Sequence, residues 1–151
     1  MIIDPQQIPT QYTSTYPEAF KDRVLGRMKQ KLGNAAGLKN LGVNLVKLQP
    51  GSCSALRHFH SHEDEFIYVL EGEITLVTNI GSQILTPGMC AGFPAGEEDA
   101  HHLINRSENI AVYLEVGNRH PEDEANYPDD DLVAKTNESG RFFTLKDGTL
   151  Y

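Results

Sequence analysis

The residues of this chain best suited to chemistry are His58, His60 and Glu65. One residue separates the two histidines, and alternate side chains of a β-strand share a face, so both imidazoles are expected to point to the same place. Glu65 follows a short acidic turn and is expected to return on the neighbouring strand. Two neutral ring nitrogens and one carboxylate oxygen suit a first-row divalent metal. The spacing therefore predicts a metal site.

A second segment, residues 88–105, can complete such a site. It begins as a turn punctuated by glycine and proline and continues to the adjacent residues His101 and His102. Neighbouring residues of a strand face opposite ways, so only one of these histidines can reach the metal without a bulge. The segment is therefore expected to supply one further nitrogen ligand.

The two segments together resemble the paired sequence motifs of the cupin superfamily, over roughly residues 40–117. The first motif of that family runs Gly, His-x-His, Glu, Gly, and the second runs Gly, Pro-x-Gly, His, Asn. The matching residues here are Gly51, His58, His60, Glu65, Gly72, Gly88, Pro94, Gly96, His101 and Asn105. The gap from Gly51 to His58 is one residue longer than is usual in the family, and the loop from Gly96 to His101 is two residues longer.

The resemblance implies that one divalent transition metal per chain, Zn, Ni, Mn or Fe, is bound by four side chains. These are His58, His60, Glu65 and His101. His101 is preferred over His102 because it keeps the family's three-residue gap to Asn105. Two alternatives stay open: His102 in place of His101, and a pair of His60 with His62 if the first strand continues.

Short strands are the elements that must position these residues. Seven apolar runs separated by turn signals are typical of strands. They span residues 43–48, 66–70, 73–78, 83–85, 90–93, 102–105 and 111–116. This pattern predicts an all-β sandwich or barrel, and the resemblance selects the cupin jelly-roll β-barrel.

A single domain in three parts is expected from the length of 151 residues. Residues 1–40 form an N-terminal extension that is partly helical and partly irregular. Residues 41–117 form the cupin barrel core, and residues 118–151 form a C-terminal arm with a hairpin. Apolar residues at every fourth position predict a helix over residues 18–32. The dipeptide Asp147-Gly148 predicts the hairpin of the C-terminal arm.

Composition excludes several classes of protein. The net charge of −8 argues against nucleic-acid binding, and no run of about 18 apolar residues is present that would indicate a membrane span. The N-terminus lacks the charged and apolar regions of a signal peptide, and two cysteines are too few for a disulfide framework. A cytoplasmic location is therefore expected. Because cupins commonly associate through strand edges, the resemblance also implies a homodimer.

Charge is distributed unevenly along the chain. A basic segment, residues 21–31, holds Lys21, Arg23, Arg27, Lys29 and Lys31, and an acidic segment, residues 122–131, holds Glu122, Asp123, Glu124, Asp129, Asp130 and Asp131. The basic segment is interpreted as a solvated helix face that can pair with the acidic segment, with a phosphate site as the alternative. The acidic segment is interpreted as a flap over the barrel mouth or as a dimer arm. Arg57 alternates with His58, so it is expected to point away from the metal and to form an ion pair at the surface or between sheets, with anion binding as the alternative.

A small polar molecule bound in the barrel is the expected ligand. An open position on the metal allows polarisation of a substrate oxygen or activation of water. The resemblance implies a metal-dependent enzyme, with a sugar or sugar-phosphate isomerase or epimerase as the first expectation. The alternatives are a non-enzymatic sensor or binding protein and an iron-dependent dioxygenase, because one fold hosts many functions. The catalytic residues are unknown, and the candidates for a general base are Glu65, His102 and Tyr113.

Overall fold

Antiparallel strands dominate the computed structural model, which describes residues 2–151. The described chain contains two short α-helices, α1 (Glu18–Lys21) and α2 (Leu32–Ala35), and 3-10 turns at Pro5–Gln7 and Asp22–Val24. Its strands are β1 (Arg27–Gln30), β2 (Leu41–Leu48), β3 (Phe59–His60), β4 (Glu65–Glu71), β5 (Ile74–Thr78), β6 (Gly81–Leu85), β7 (Cys90–Phe93), β8 (His102–Ile104), β9 (Ala111–Asn118), β10 (Ala125–Tyr127), β11 (Leu132–Asn137) and β12 (Gly140–Thr144). No described helix is long and apolar enough to cross a lipid bilayer.

The strands form three antiparallel sheets. The largest has the order β1-β2-β9-β4-β7, and the others have the orders β12-β11-β10-β3 and β6-β5-β8. In the largest sheet β2 pairs with β9 along its whole length, from Leu41 opposite Asn118 to Leu48 opposite Ala111. The seven strands expected from the apolar runs are all present, and the prediction of an all-β jelly roll is confirmed.

The hydrophobic core follows the two-residue period of the strands. In β4, Ile67 and Val69 are buried, whereas Phe66, Tyr68 and Leu70 on the opposite face are partly exposed. The buried face of the five-stranded sheet packs against the three-stranded sheet through residues that include Ile74 and Leu103. Each fully buried aliphatic side chain stabilises the fold by about 1.5–3 kcal/mol.

A second cluster of apolar side chains lies under the four-stranded sheet. It joins Tyr127, Leu132 and Phe143 of that sheet to Tyr16 and Val24 from the N-terminal part of the chain. The N-terminal residues therefore close one side of the molecule, and they bring Tyr16 and β1 next to the interior where the histidines lie.

The prediction of a helix over residues 18–32 is wrong. The helix α1 has only four residues, and the chain reverses at Gly26, whose φ is +80°. At this φ, and with the Ser52 hydroxyl in the space that a Cβ would occupy, the turn requires glycine. Beyond it, β1 pairs with β2, with Arg27 opposite Leu48. Pairing satisfies the backbone groups of an otherwise open sheet edge, which outweighs a weak helical periodicity.

The C-terminal arm forms two hairpins. β11 and β12 pair directly, and Thr144 then bridges to Leu150 around the predicted Asp147-Gly148 turn. The acidic segment is part of this sheet, because β10 lies between β3 and β11. The interpretation of residues 122–131 as a flap is therefore wrong, since strand pairing holds residues 125–127 against the chain's own histidine strand, and the interpretation as a dimer arm stays a prediction.

Candidate metal centre

Four predicted side chains converge on one point in the interior. The Oε2 atom of Glu65 lies 3.7 Å from His58 Nε2, 3.7 Å from His60 Nε2 and 3.4 Å from His101 Nε2. Glu65 begins β4 and His60 ends β3. His58 and His101 form an antiparallel bridge, in which each backbone N–H donates to the other residue's carbonyl oxygen at 3.1 and 2.8 Å.

The ring of His58 is held so that Nε2 is free to bind a ligand. Its Nδ1 lies 2.8 Å from the carbonyl oxygen of Leu56, and a carbonyl oxygen can only accept, so Nδ1 carries the hydrogen. Burial lowers the pKa of His58, which favours the neutral ring. A neutral imidazole with its Nε2 lone pair facing the cluster is the form that coordinates a metal.

The ring of His60 is held by a carboxylate. Its Nδ1 lies 2.7 Å from Asp123 Oδ2, and Asp123 Oδ1 accepts hydrogen bonds from the backbone N–H groups of His62 and Glu63 at 2.9 and 3.1 Å. Burial raises the pKa of Asp123, but these hydrogen bonds outweigh it and lower the pKa to about 2. A carboxylate that orients a ligating histidine in this way is common at metal sites.

Two further features of the cluster suit a bound cation. Both ring nitrogens of His101 are buried without a hydrogen-bond partner among residues 2–151, and the ring stacks on Phe93 with centroids 3.4 Å apart. Burial raises the pKa of Glu65, but the adjacent His101 and His58 hold that pKa well below its usual range, so the carboxylate is ionised. An unpaired buried imidazole is costly unless something binds it.

The atomic separations also fit a metal. Ligand atoms held at about 2.0–2.2 Å from one ion lie about 3.0–3.5 Å apart. The nitrogen-to-oxygen separations in the cluster are close to that range, and His58, His60 and Glu65 each offer a ligand atom within 4.8 Å of those of the other two. These three residues could therefore hold a metal ion, with His101 beside them.

The alternative histidines are engaged elsewhere. His102 pairs with Val77 in the three-stranded sheet, and its Nδ1 lies 3.2 Å from the carbonyl oxygen of Ala55. His62 stacks on His120, with ring centroids 4.8 Å apart. The structure therefore brings neither His102 nor His62 into the cluster. Only His101 of the adjacent pair faces it, as expected from the alternation of strand side chains.

Arg57 points outward, as the sequence predicts. Its guanidinium forms a bidentate pair with Asp129, with Nε–Oδ2 and Nη2–Oδ1 distances of 2.8 Å each, and it also donates to Asn79. The predicted ion pair is confirmed. It ties the loop before β3 to the acidic segment, and so supports the position of the adjacent His58.

A cavity of about 380 Å³ opens beside the cluster. We call it the inner cavity. Its walls include three tyrosines, two carboxylates and four cationic side chains: Tyr16, Tyr113, Tyr127, Glu65, Glu115, Arg27, Lys29, Lys31 and Arg141. A volume of this size suits a small molecule. An outer cavity of about 580 Å³ continues towards Asn118 and shares six lining residues with the inner cavity: Lys29, Lys31, His60, Glu65, Glu115 and Arg141.

Tyr113 and Glu115 are two residues apart on β9 and line the inner cavity. The Tyr113 hydroxyl is buried and has no hydrogen-bond partner among the described residues. Burial raises the pKa of Tyr113 well above 10, so its hydroxyl stays protonated. Glu115 Oε1 accepts hydrogen bonds from Lys29 Nζ and Asn44 Nδ2, both at 2.8 Å. Together they place a proton donor and an oriented carboxylate next to the histidines.

The basic segment contributes to this cavity. Because β1 is a strand, Arg27 and Lys29 share one of its faces, and with Lys31, which follows β1, they line the inner cavity, so their interpretation as a solvated helix face is wrong. Arg23 instead pairs with Asp130 of the acidic segment at 2.6 Å. The residues that sequence reasoning missed are Asp123, Glu115 and Arg141. Of these three, only Glu115 could have been identified from the sequence, because it lies two residues from Tyr113 in a predicted strand and therefore shares its face.

Comparisons with known proteins agree with this fold. A family model of the cupin domain matches residues 44–117. The crystal structure of a sugar phosphate isomerase from a cupin superfamily, from Silicibacter pomeroyi, is 42% identical in sequence and superposes with a TM-score of 0.96, over 100% of this chain and 96% of that chain. A search among curated proteins finds no match.

Two other solved structures are less similar. A candidate sugar phosphate isomerase from Acidithiobacillus ferrooxidans is 26% identical, with a TM-score of 0.81, over 99% of this chain and 95% of that chain. The polyketide cyclase RemF from Streptomyces resistomycificus is 19% identical, with a TM-score of 0.67, over 82% of each chain. At 19% identity, the similarity to RemF shows a shared fold alone.

Proposed function

This chain belongs to the cupin superfamily, and from that premise we propose that it is a metal-dependent enzyme acting on a small polar molecule, a sugar or sugar-phosphate isomerase or epimerase. The observation that carries the proposal is the convergence of three histidine Nε2 atoms on Glu65 Oε2 at the wall of a polar cavity. Similarity to a sugar phosphate isomerase of the same superfamily supports the choice of reaction.

Under this proposal His58, His60, Glu65 and His101 hold one divalent ion, Zn, Ni, Mn or Fe. Three nitrogens and one carboxylate oxygen suit these metals, and availability decides between them. When bound, the metal polarises a substrate oxygen and so makes the neighbouring carbon–hydrogen bond more acidic. The chain's own residues then have to bind the substrate and move the protons.

Glu115 is the general base in this scheme. Its Oε1 is fixed by Lys29 and Asn44, and no described group donates to its Oε2, which is left for a substrate proton. In an aldose–ketose isomerisation, Glu115 takes the proton from the carbon that bears the hydroxyl and returns it to the neighbouring carbonyl carbon. A carboxylate within reach of the substrate contributes about 10²–10⁴-fold by such transfer.

Tyr113 completes the proton balance. Its buried O–H gives a proton to the carbonyl oxygen, and it recovers one from the hydroxyl that becomes the new carbonyl. Its raised pKa keeps the phenol protonated between turnovers. The sequence offered Glu65, His102 and Tyr113 as candidates for the base. His102 lies outside the cavity lining, and Glu65 serves as a metal ligand. Tyr113 therefore acts as the acid, and Glu115 takes the role of the base.

Deuterium exchange tests this proposal directly. The metal-loaded protein is incubated in D₂O with a panel of aldose and ketose phosphates, and incorporation of deuterium at the carbon next to the carbonyl is followed by proton NMR. We expect exchange and isomerisation of at least one substrate, lost in Glu115→Gln with the metal content unchanged. Glu108→Gln, an exposed carboxylate remote from the cavity lining, is the control.

Two outcomes would contradict the proposal. Binding of sugars without any exchange would identify a non-enzymatic binding protein. Consumption of oxygen by an iron-loaded form, without isomerisation, would identify a dioxygenase.

We further propose that the protein is cytoplasmic and forms a homodimer. The support for a dimer is the outer face of β4, where Phe66, Tyr68 and Leu70 present apolar side chains that are 39–43% exposed. Contiguous exposed apolar side chains on a sheet are typical of protein interfaces.

A further inference from the structure

Two cationic side chains at the inner cavity have no partner in the described part of the chain. Arg27 donates to the carbonyl oxygen of Ser54 at 2.6 Å, and Lys29 pairs with Glu115 at 2.8 Å. The side chains of Lys31 and Arg141, in contrast, form no ion pair or hydrogen bond with any of residues 2–151. Both line the inner cavity and the outer cavity, so they lie where the two spaces meet.

The charge of the inner cavity is opposite to that of the protein. The chain carries a net charge of −8, yet the inner cavity is lined by four cationic side chains and two carboxylates. Glu115 is neutralised by Lys29, and Glu65 faces the histidine cluster. The inner cavity therefore carries an excess of positive charge, which attracts an anion.

We propose that Lys31 and Arg141 form an anion subsite that binds the phosphate monoester of the substrate while its carbon chain reaches the histidine cluster. The inference rests on the proposed function, since it names the class of substrate of the same site. Two unpaired cations match the charge of a phosphate monoester. The planar guanidinium binds two phosphate oxygens at once, and the ammonium adds a point charge.

The rest of the inner cavity suits the other end of such a molecule. Thr13, Thr15 and Tyr127 contribute hydroxyl groups to its walls, which can exchange hydrogen bonds with sugar hydroxyls. The inner cavity thus offers the anion subsite, hydroxyl groups and the cluster within one space. A sugar phosphate whose phosphate group binds Lys31 and Arg141 can place its carbonyl end beside Tyr113 and Glu115.

Calorimetric titration of the metal-loaded protein with ribose 5-phosphate, ribose and inorganic phosphate tests the subsite. The variant Lys31→Gln/Arg141→Gln removes both cations. The control Lys39→Gln/Arg106→Gln makes the same charge change at two exposed residues outside the cavity linings. We expect the affinity for ribose 5-phosphate to fall about 10- to 100-fold in the variant and less than about 2-fold in the control. Metal content, measured in parallel, should be the same in all three proteins.

Equal loss of affinity in the variant and the control would overturn the subsite, because only the overall charge would then matter. The subsite would also be overturned if ribose bound as tightly as ribose 5-phosphate. The same holds if succinate displaced ribose 5-phosphate better than inorganic phosphate does. Phosphate binding that depends on Lys31 and Arg141 without any turnover would refute the enzymatic proposal and leave the subsite standing. Turnover with unaltered affinity in the variant would refute the subsite alone.

Discussion

Replacing Asp123 by Asn is the most informative single change outside the ligand set. The carboxylate accepts four hydrogen bonds, from His60 Nδ1 at 2.7 Å, from the N–H groups of His62 and Glu63, and from Ser61 Oγ at 3.5 Å. Asparagine has nearly the same shape but a single acceptor oxygen. If that oxygen stays with the two backbone N–H groups, the Asn NH₂ faces His60 Nδ1, and the ring must turn or change tautomer.

The magnitude of the effect follows from these contacts. Loss of a carboxylate that orients a metal-bound histidine costs about 10- to 100-fold in metal affinity. Loss of one hydrogen bond to a charged group costs about 1.5–3 kcal/mol of stability. Asp123 is only 3% exposed, so solvent does not replace the lost partner. We therefore expect Asp123→Asn to fold, with a lower midpoint of unfolding and weaker metal binding.

Competition with a chromophoric chelator measures the metal affinity, and thermal unfolding of the metal-free protein measures the stability separately. Asp131→Asn is the matched control, because Asp131 accepts a hydrogen bond from Lys146 N at 2.7 Å and is exposed. Metal affinity in Asp123→Asn equal to that of the wild type would refute the reasoning, since Asp123 would then not position His60 for coordination.

Three further predictions concern the fold and its assembly. Gly72→Ala should lower the free energy of unfolding by about 1–3 kcal/mol, as measured by denaturant titration. The reason is that φ at Gly72 is +73° and a Cβ there would lie 2.6 Å from the carbonyl oxygen of Ile110. Unchanged stability would contradict this prediction. Burial raises the pKa of Tyr16 and the pKa of Tyr127 above the ordinary value of 10. The neutral phenols therefore stabilise the folded state fully below pH 10. This stabilisation is lost as the pH rises through the folded-state pKa values. Their absorbance change at 295 nm should therefore coincide with unfolding, and ionisation of every tyrosine in the folded protein would show the reasoning to be wrong. Light scattering should give the mass of a dimer, and Phe66→Asp/Tyr68→Asp should give a monomer; a monomeric wild type excludes the proposed interface.

The parts of the fold that sequence could predict are those fixed by local patterns. Residues 90–93, for example, form a strand with the predicted bounds, because the glycine and proline turns on either side define its ends. The expectation that His58, His60, Glu65 and His101 lie together depended on the spacing of two motifs, and the structure brings these side chains together. The division of the chain at residues 40 and 117 stays a prediction.

The parts that could not be predicted depend on contacts between distant segments. The partner of His60 is 63 positions away in sequence, in an acidic segment whose composition is typical of a solvated loop. Arg141 reaches the cavity only because β12 pairs with β11. The four-residue apolar period of residues 18–32 predicts a helix, whereas pairing with β2 makes residues 27–30 a strand and places Arg27 and Lys29 on one face.

The central claim, that four side chains hold one divalent metal, is tested most directly by the metal content of protein purified without a histidine tag. Plasma mass spectrometry would be applied to the wild type, to His58→Ala/His60→Ala, and to His62→Ala/His102→Ala as a control that removes two histidines outside the cluster. We predict about one transition metal ion per chain in the wild type and in the control, and none in His58→Ala/His60→Ala. A wild type without stoichiometric metal after reloading, or a His58→Ala/His60→Ala variant that keeps its metal, would contradict the account.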